Sequence, residues 1–270
     1  MFVACDKNND QLTQSDMPNI NELELCIELI NSAKTPEEAF SFFCAILAES
    51  GYDRITYSLV TDHPSLGLPK QHGLVTSYPQ DWMDYYNDHH YMRIDPVVHK
   101  VLNSKTPFFW EDLVNEPDQP SESILLMNQA AESGLNSGIA FSLHGEPGEI
   151  VGIGIARSDS YNDTKDYDFL AKVYLLGTYF HETYRDMLMK EKNNIPSVTD
   201  REKGILYWGA EGKTDPEIAI ILGISVNTVR FHWKSIFSKL RARGRSYAVT
   251  KAIRLGIIVP ELVRSPYHLW

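Results

Sequence analysis

Residues 199–245 read TDREKGILYWGAEGKTDPEIAIILGISVNTVRFHWKSIFSKLRARGR, and this run decides how the C-terminal end of the chain folds. Thr199-Asp200-Arg201-Glu202 has the form of a capping box, with the threonine oxygen placed for the third amide of the turn and Glu202 reaching back. It opens a helix through about Ala210, which Gly212 helps to stop. A second short helix starts at Thr214 or Asp215, tolerates Pro216 in its first turn, and runs through Leu222 into Gly223. Ser225 then caps a third helix after a turn of very few residues. Along that helix Val226, Val229, Trp233, Ile236, Phe237 and Leu240 recur at helical spacing as one apolar stripe, while Asn227, Arg230, Lys234, Ser238 and Arg241 take the other side. Two helices joined by a tight glycine-containing turn, the second amphipathic and basic, suit the reading of a DNA major groove.

Charge supports that reading once the chain is divided. The formal net charge of the 270 residues is -11, but residues 1–195 hold 13 Lys+Arg against 30 Asp+Glu, and residues 196–270 hold 12 against 6. Between Ser225 and Arg245 stand six basic side chains (Arg230, Lys234, Lys239, Arg241, Arg243, Arg245) and no acidic one. A charge run by itself is as well explained by a solvated face. Placed on a helix-turn-helix it becomes the electrostatic footprint of nucleic-acid binding.

Length predicts two domains, and 43% hydrophobic with 23% charged residues excludes a disordered or fibrous chain. No apolar run is long enough to span a membrane, and no basic segment precedes an apolar one near Met1, so a cytoplasmic protein without a membrane partner is expected. Cys5, Cys26 and Cys44 are scattered, without a C-x-x-C pair. The polar stretch Lys190 to Asn194 before Ile195-Pro196-Ser197 reads as a linker, giving an N-terminal domain over 1–190, a linker over 191–197 and a DNA-binding domain over 198–270.

Upstream, helix and strand alternate. Helices are expected over 22–31, 36–49, 79–87, 96–102 and 121–133, and strands over 54–61 and 73–77. Pro107 to Trp110 reads as extended, and strands over 138–144 and 149–157 form a hairpin around Gly145-Glu146-Pro147-Gly148. A long helix over about 163–189 closes the domain. Helices before and after a meandering sheet predict an α/β/α sandwich, so the fold class is α/β with a C-terminal all-α domain. The parallel βα repeat of a phosphorelay receiver is absent.

Within that domain Tyr78, Trp82 and Tyr86 fall at four-residue intervals, which taken alone is the pattern of an ordinary core stripe. Asp95-Pro96 is equally well explained as an N-cap followed by proline at the first helical position. Trp110 and Gly138 complete the series. The spacing Tyr78, Trp82, Tyr86, Asp95-Pro96, Trp110, Gly138 resembles the autoinducer-binding domain of acyl-homoserine-lactone receptors of the LuxR type. Thr199-Asp200-Arg201-Glu202, Leu206, Gly212-Lys213-Thr214, Glu217-Ile218-Ala219, Leu222, Ile224-Ser225, Thr228-Val229, His232 and Lys239-Leu240 resemble the DNA-binding domain of the same regulators. Together the resemblance spans roughly residues 22–258.

The resemblance implies a homodimeric, ligand-dependent transcription regulator that binds an N-acyl-homoserine lactone and then double-stranded promoter DNA, with RNA polymerase as a further partner and no cofactor. It implies that Trp82 donates to the lactone carbonyl, Asp95 accepts the ligand amide N–H, Tyr78 bonds the first acyl carbonyl, and Tyr86 and Trp110 wall the pocket. Arg230, Phe231 and Lys234 would face the groove, with Thr228, Lys213 and Arg245 near the DNA backbone. Phe231 and Trp233 depart from the small or aliphatic residues common at those positions. Gly154 stands where many relatives carry Ser or Thr, so Ser58 or Thr56 would have to supply that hydroxyl.

Those residue types suit such a ligand, which offers one donor, several acceptors and an apolar tail. A carboxylate accepts the single amide proton, while indole and phenol donate to carbonyls and pack their rings on the rest. Strand parity adds an expectation: Gly138, Ala140 and Ser142 share one face of a strand, and Gly152, Gly154 and Ala156 one face of the next. With Gly138 and Gly154 toward the ligand, that face leaves room for a long or bulky acyl group, unless a neighbouring helix simply approaches closely there. No G-x-S-x-G elbow is present and Asp95 has no evident catalytic partner, so no catalytic residue is assigned. His89-His90 and His99 lack metal-ligand spacing, and no metal site is expected. The competing readings are a regulator of this type answering to a different small molecule or to none, and an enzyme cleaving acylated metabolites.

Overall fold

A computed structural model describes residues 17–59, 74–114, 119–144, 150–159, 165–191 and 196–258. They fall into two compact units, one ending at Glu191 and the other following it. Most of the expected linker, the Gly145–Gly148 turn, the Thr61 end of the first strand, Cys5 and the expected helix start at Asp163 lie outside the described residues.

The N-terminal unit runs α1 (Leu23–Ser32), α2 (Pro36–Ala48), β1 (Arg54–Leu59), β2 (Leu74–Thr76), α3 (Gln80–Asp88), a 3-10 turn (Tyr91–Arg93), α4 (Pro96–Asn103), β3 (Phe108–Phe109), α5 (Trp110–Val114), α6 (Ser121–Glu132), β4 (Ser137–His144), β5 (Ile150–Arg157) and α7 (Tyr167–Glu191). Local chemistry sets several of these starts. Thr35 accepts from the Glu38 amide at 3.1 Å with Pro36 following, and Asp95 does the same for α4 with Pro96. One expectation is corrected here. Trp110 is not extended; the strand is only Phe108–Phe109, and Trp110 opens α5, whose acidic first turn, Glu111 and Asp112, complements the helix N-terminus.

The five strands lie in the order β2-β1-β5-β4-β3. Thr56 pairs with Gly154, Ser58 with Gly152 and Phe108 with Ala140, each in antiparallel register. Because side chains alternate across a strand, β4 and β5 sort their residues as the sequence predicts. Ile139, Phe141, Leu143, Val151, Ile153 and Ile155 pack into a core with α1, α2 and α7, where the Phe43 and Phe180 rings stack at 4.5 Å. Ala140 and Ala156 face a second cluster holding Trp82, Val101, Phe108, Trp110 and Leu135. The sheet is therefore covered on both sides, which makes the unit the expected α/β/α sandwich.

The C-terminal unit is α8 (Asp200–Ala210), α9 (Asp215–Leu222), α10 (Val226–Lys239) and α11 (Arg245–Arg254). Capping boxes open α8 and α9, and Ser225 caps α10. Gly212 and Gly223 take left-handed φ of +74° and +64° where the first two helices stop. The fourth helix, α11, was not expected from the sequence; its Ala248 and Ala252 close the core formed by Ile205, Leu206, Ile218, Val229, Trp233, Ile236 and Leu240. Among the described residues no helix is long and apolar enough to cross a membrane.

Candidate functional site

On the α3 to α6 side of the sheet lies a cavity of about 210 Å³. Thr56, Ser58, Ala140, Gly152 and Gly154 of the sheet line it, with Tyr78, Trp82, Tyr86, Asp95 and Trp110 and a set of aliphatic and methionine side chains from α3, α4 and α6. Seven of the eight residues expected at a ligand site thus converge here. Gly138 does not. A Cβ there would stand 2.7 Å from two atoms of the Trp110 indole and 2.7 Å from the Ile155 carbonyl oxygen, so this glycine admits the close approach of Trp110 rather than opening volume. Ser142 is also committed elsewhere, donating to the Ser104 carbonyl at 2.7 Å.

Asp95 is the charged centre of the cavity. Its Oδ1 accepts the Val97 and Val98 amides at 2.8 and 3.3 Å, the N-cap role, and its Oδ2 accepts the Tyr86 hydroxyl at 2.8 Å. The N-cap explanation offered by the sequence therefore holds, with one oxygen capping α4 while the other is turned to the aromatic wall. Burial raises the Asp95 carboxyl above the ordinary carboxylate range, against the opposing pull of the Tyr86 and amide hydrogen bonds. Burial, reinforced by the nearby Asp95 charge, also pushes the Tyr78 and Tyr86 phenols far above the usual tyrosine range, so both remain neutral donors.

The aromatic wall is interlocked, with Trp82 edge-on to Tyr86 at 6.0 Å. Trp110 buries its indole N–H without a hydrogen-bond partner among the described residues, an unsatisfied donor in the cavity lining. A Cβ on Gly154 would meet the Tyr78 hydroxyl at 2.9 Å and Thr56 Cγ2 at 3.0 Å. The absent side chain at 154 is thus what lets Tyr78 reach over β5.

Sequence reasoning missed the far side of the site. Leu126, Met127 and Ala130 of α6 and Leu135 line the cavity, and Tyr91 donates to Gln129 at 2.8 Å while Gln129 donates to the Tyr85 hydroxyl at 3.3 Å, tying α6 to the α3 side. The apolar periodicity of α6 was the available signal, but it cannot say which core it serves. His89 and His99 bond the carbonyls of Tyr85 and Arg93 at 2.9 Å. No group of residues that could hold a metal ion occurs among the described residues.

In the C-terminal unit α10 presents Asn227, Arg230, Phe231, Lys234 and Ser238 to solvent, and Arg241 is exposed just past its end. Trp233 is buried instead, its ring against Gly209, where a Cβ would come within 2.8 Å. Arg245 lies 4.8 Å over that indole and donates to the Lys213 carbonyl and, at 3.4 Å, to Asp215. Lys213 and Arg245 are thereby brought together, while Thr228 stands on the first turn of α10 against the Ser225 hydroxyl at 2.8 Å. Asp215 also lies 3.7 Å from Arg230. Glu202 is buried and accepts from Lys239 and Ser235 at 2.6 Å, clamping α8 to α10.

Comparison with known proteins covers both units. Residues 35–184 match the autoinducer binding domain family and residues 196–252 the bacterial regulatory proteins of the luxR family. The chain is 32% identical over 238 residues to the quorum sensing-dependent transcriptional regulator RpaR of Rhodopseudomonas palustris, covering 86% of this chain and 94% of that one. It is 27% identical over 245 residues to the transcriptional activator protein LuxR of Aliivibrio fischeri, covering 90% and 97%. Its structure resembles Escherichia coli SdiA with a TM-score of 0.73 at 26% identity, covering 88% of this chain and 98% of that one. With both units matched and a relative this similar along nearly its whole length, the chain belongs to the LuxR family of autoinducer-binding transcription regulators.

Proposed function

We propose that this protein is a cytoplasmic quorum-sensing receptor that takes an N-acyl-homoserine lactone into the cavity beside Asp95 and then binds promoter DNA as a homodimer, with RNA polymerase as its downstream partner. The observation that carries the reading is the pairing of one buried carboxylate with a cavity lined mostly by aromatic and aliphatic side chains. A neutral ligand with a single amide donor and a long apolar body matches that lining. The Asp95 carboxylate accepts the amide N–H in a charge-assisted bond, Trp82 donates to the lactone carbonyl, Tyr78 donates to the first acyl carbonyl, and Tyr86 and Trp110 enclose the head group. Ser58 and Thr56 supply hydroxyls beside Gly154. Leu74, Val98, Val101, Leu126 and Met127 receive the acyl chain, each buried methylene adding ~0.8 kcal/mol, which favours a chain well beyond four carbons. Ligand bound only by the folded receptor stabilises it by mass action, so folding, dimerisation and DNA binding follow the signal concentration. On the DNA, Arg230, Phe231 and Lys234 face the major groove, and Lys213, Thr228 and Arg245 lie along the phosphates.

One observation favours keeping a second ligand class in view. The similar SdiA of Escherichia coli has been solved in complex with octanoyl-rac-glycerol, at 26% identity and a TM-score of 0.70. Purifying the protein from cells grown with a panel of acyl lactones and acylglycerols, then extracting and weighing the bound molecule, tests the reading. An intact acyl-homoserine lactone retained by the wild type and lost from Asp95→Asn supports it. Retention of an acylglycerol alone, or of lactone equally by both proteins, overturns the lactone assignment.

A further inference from the structure

Phe231 is 68% exposed on a face of α10 that otherwise carries only hydrogen-bonding and cationic groups: Asn227, Arg230, Lys234 and Ser238. It lies two residues from both Val229 and Trp233, which are buried. Two residues turn a helix by about 200°, so the phenyl points away from the core of its own unit. A single exposed aromatic is ordinary on a protein surface and exposure by itself carries nothing. Its position does, because Asn227 and Lys234 flank it at four and three residues' distance on the helix surface, and the face is positively charged. Such a face complements a polyanion, and within it the phenyl is the one side chain with no hydrogen bond to offer.

Of the groups that base pairs display in the major groove, only the 5-methyl of thymine is apolar. Accepting the DNA-binding reading above, on which this rests, we infer that Phe231 is a specificity-determining residue that selects thymine by packing its ring against that methyl group. Arg230 and Lys234 beside it are suited to guanine edges and phosphates, so the face would combine polar readout with one apolar contact. Asp215, 3.7 Å from Arg230, restrains the neighbouring guanidinium and leaves the phenyl as a separate reader.

Thymine and uracil differ by that methyl alone, which makes the assignment testable without knowledge of the natural operator. Duplexes bound by the full chain, prepared with N-dodecanoyl-homoserine lactone, are selected from a random pool, and each thymine of the enriched site is replaced in turn by deoxyuridine. One thymine per half-site should weaken binding about fourfold when replaced, the equivalent of one buried methyl group. Phe231→Ala should bind the thymine site more weakly and be indifferent to that replacement. Phe231→Leu, which keeps an apolar side chain, should retain part of the discrimination. Because the ring is exposed, both variants should unfold at the wild-type temperature. A uridine scan that is flat for the wild type, or one that Phe231→Ala reproduces unchanged, overturns the assignment and leaves DNA binding intact. If no duplex is enriched, the DNA-binding reading itself fails, and this inference with it.

Discussion

The Tyr86 hydroxyl donates to Asp95 Oδ2 at 2.8 Å while Asp95 Oδ1 caps α4, so one oxygen of the carboxylate serves the helix and the other faces the aromatic wall of the cavity. Asp95→Asn should therefore leave the fold intact, since asparagine caps a helix nearly as well as aspartate. Its amide nitrogen would replace the acceptor offered to the ligand, and lactone response should disappear at ordinary signal levels. Tyr86→Phe should raise the half-maximal lactone concentration about tenfold or more, the scale set by losing a hydrogen bond to a charged group, ~1.5 to 3 kcal/mol. Dose-response curves from a reporter, alongside soluble yield, check both. A soluble Asp95→Asn protein with the wild-type curve would sink the assignment.

The same carboxylate sets a pH dependence. Its pKa is raised in the folded state, chiefly by burial. The stability tied to its protonated form is present below the unfolded value and is lost as pH rises through the folded one. The ligand-free protein should thus lose stability from this group as pH rises from the acid side toward neutrality. A lactone amide donating to the ionised carboxylate offsets that loss, so the ligand-induced rise in Tm should grow as pH rises from the acid side toward neutrality. In Asp95→Asn the increment should be flat over the same interval, as read by thermal unfolding with and without lactone.

Gly154 and Tyr78 should be energetically coupled. A methyl at 154 would collide with the Tyr78 hydroxyl at 2.9 Å, so Gly154→Ala must displace the phenol or the Thr56 methyl. Reduced affinity is expected for lactones of every chain length, because the perturbed group is the one assigned to the first acyl carbonyl. In a Tyr78→Phe background the added cost should shrink, giving a coupling on the order of 1 kcal/mol in a double-mutant cycle of lactone binding. Additive effects would separate the two residues.

Glu202 should govern the acid stability of the C-terminal unit. Burial by itself would raise its pKa, but hydrogen bonds from Lys239, Ser235 and Thr199 outweigh it and bring the carboxyl down to about 2. A depressed folded pKa contributes stability above the unfolded value that is lost as pH falls toward the folded one. The unit should accordingly weaken between the ordinary glutamate value of 4.5 and about 2. Glu202→Gln should remove roughly 2 kcal/mol at neutral pH by breaking the clamp to Lys239, and should flatten that acid transition. Circular dichroism followed through acid titration of the full chain measures both.

Arg230→Ala and Lys234→Ala should weaken DNA binding without lowering lactone retention, since both side chains are exposed on α10. Wild-type affinity should fall steeply with added salt as phosphate counterions are released, whereas the two groove-facing variants should chiefly lose discrimination between sites. Fluorescence anisotropy across a salt series, with ligand weighed after extraction from the same preparations, decides the matter. Salt-independent binding would contradict the phosphate contacts assigned to Lys213, Thr228 and Arg245.

The sequence by itself determined the elements whose signals are local: the capping box at Thr199, the helix start near Thr214, the glycine stops at Gly212 and Gly223, and the alternation that sorts Ile139 from Ala140. Each depends on residues within a turn or a pleat of one another, and so survives without knowledge of the rest of the chain. Only the tertiary structure decided where α5 begins, that Gly138 lies under Trp110, that Gly154 makes way for Tyr78, and that α6 supplies a wall of the cavity. Those facts depend on distant residues meeting on one face of the sheet, such as Trp110 with Gly138 and Tyr78 with Gly154, and side-chain volume and approach distance are not encoded in spacing along the chain. The double use of Asp95 belongs to both levels: its cap is a local signal, whereas the bond from Tyr86 exists only because α3 and α4 fold against the same face.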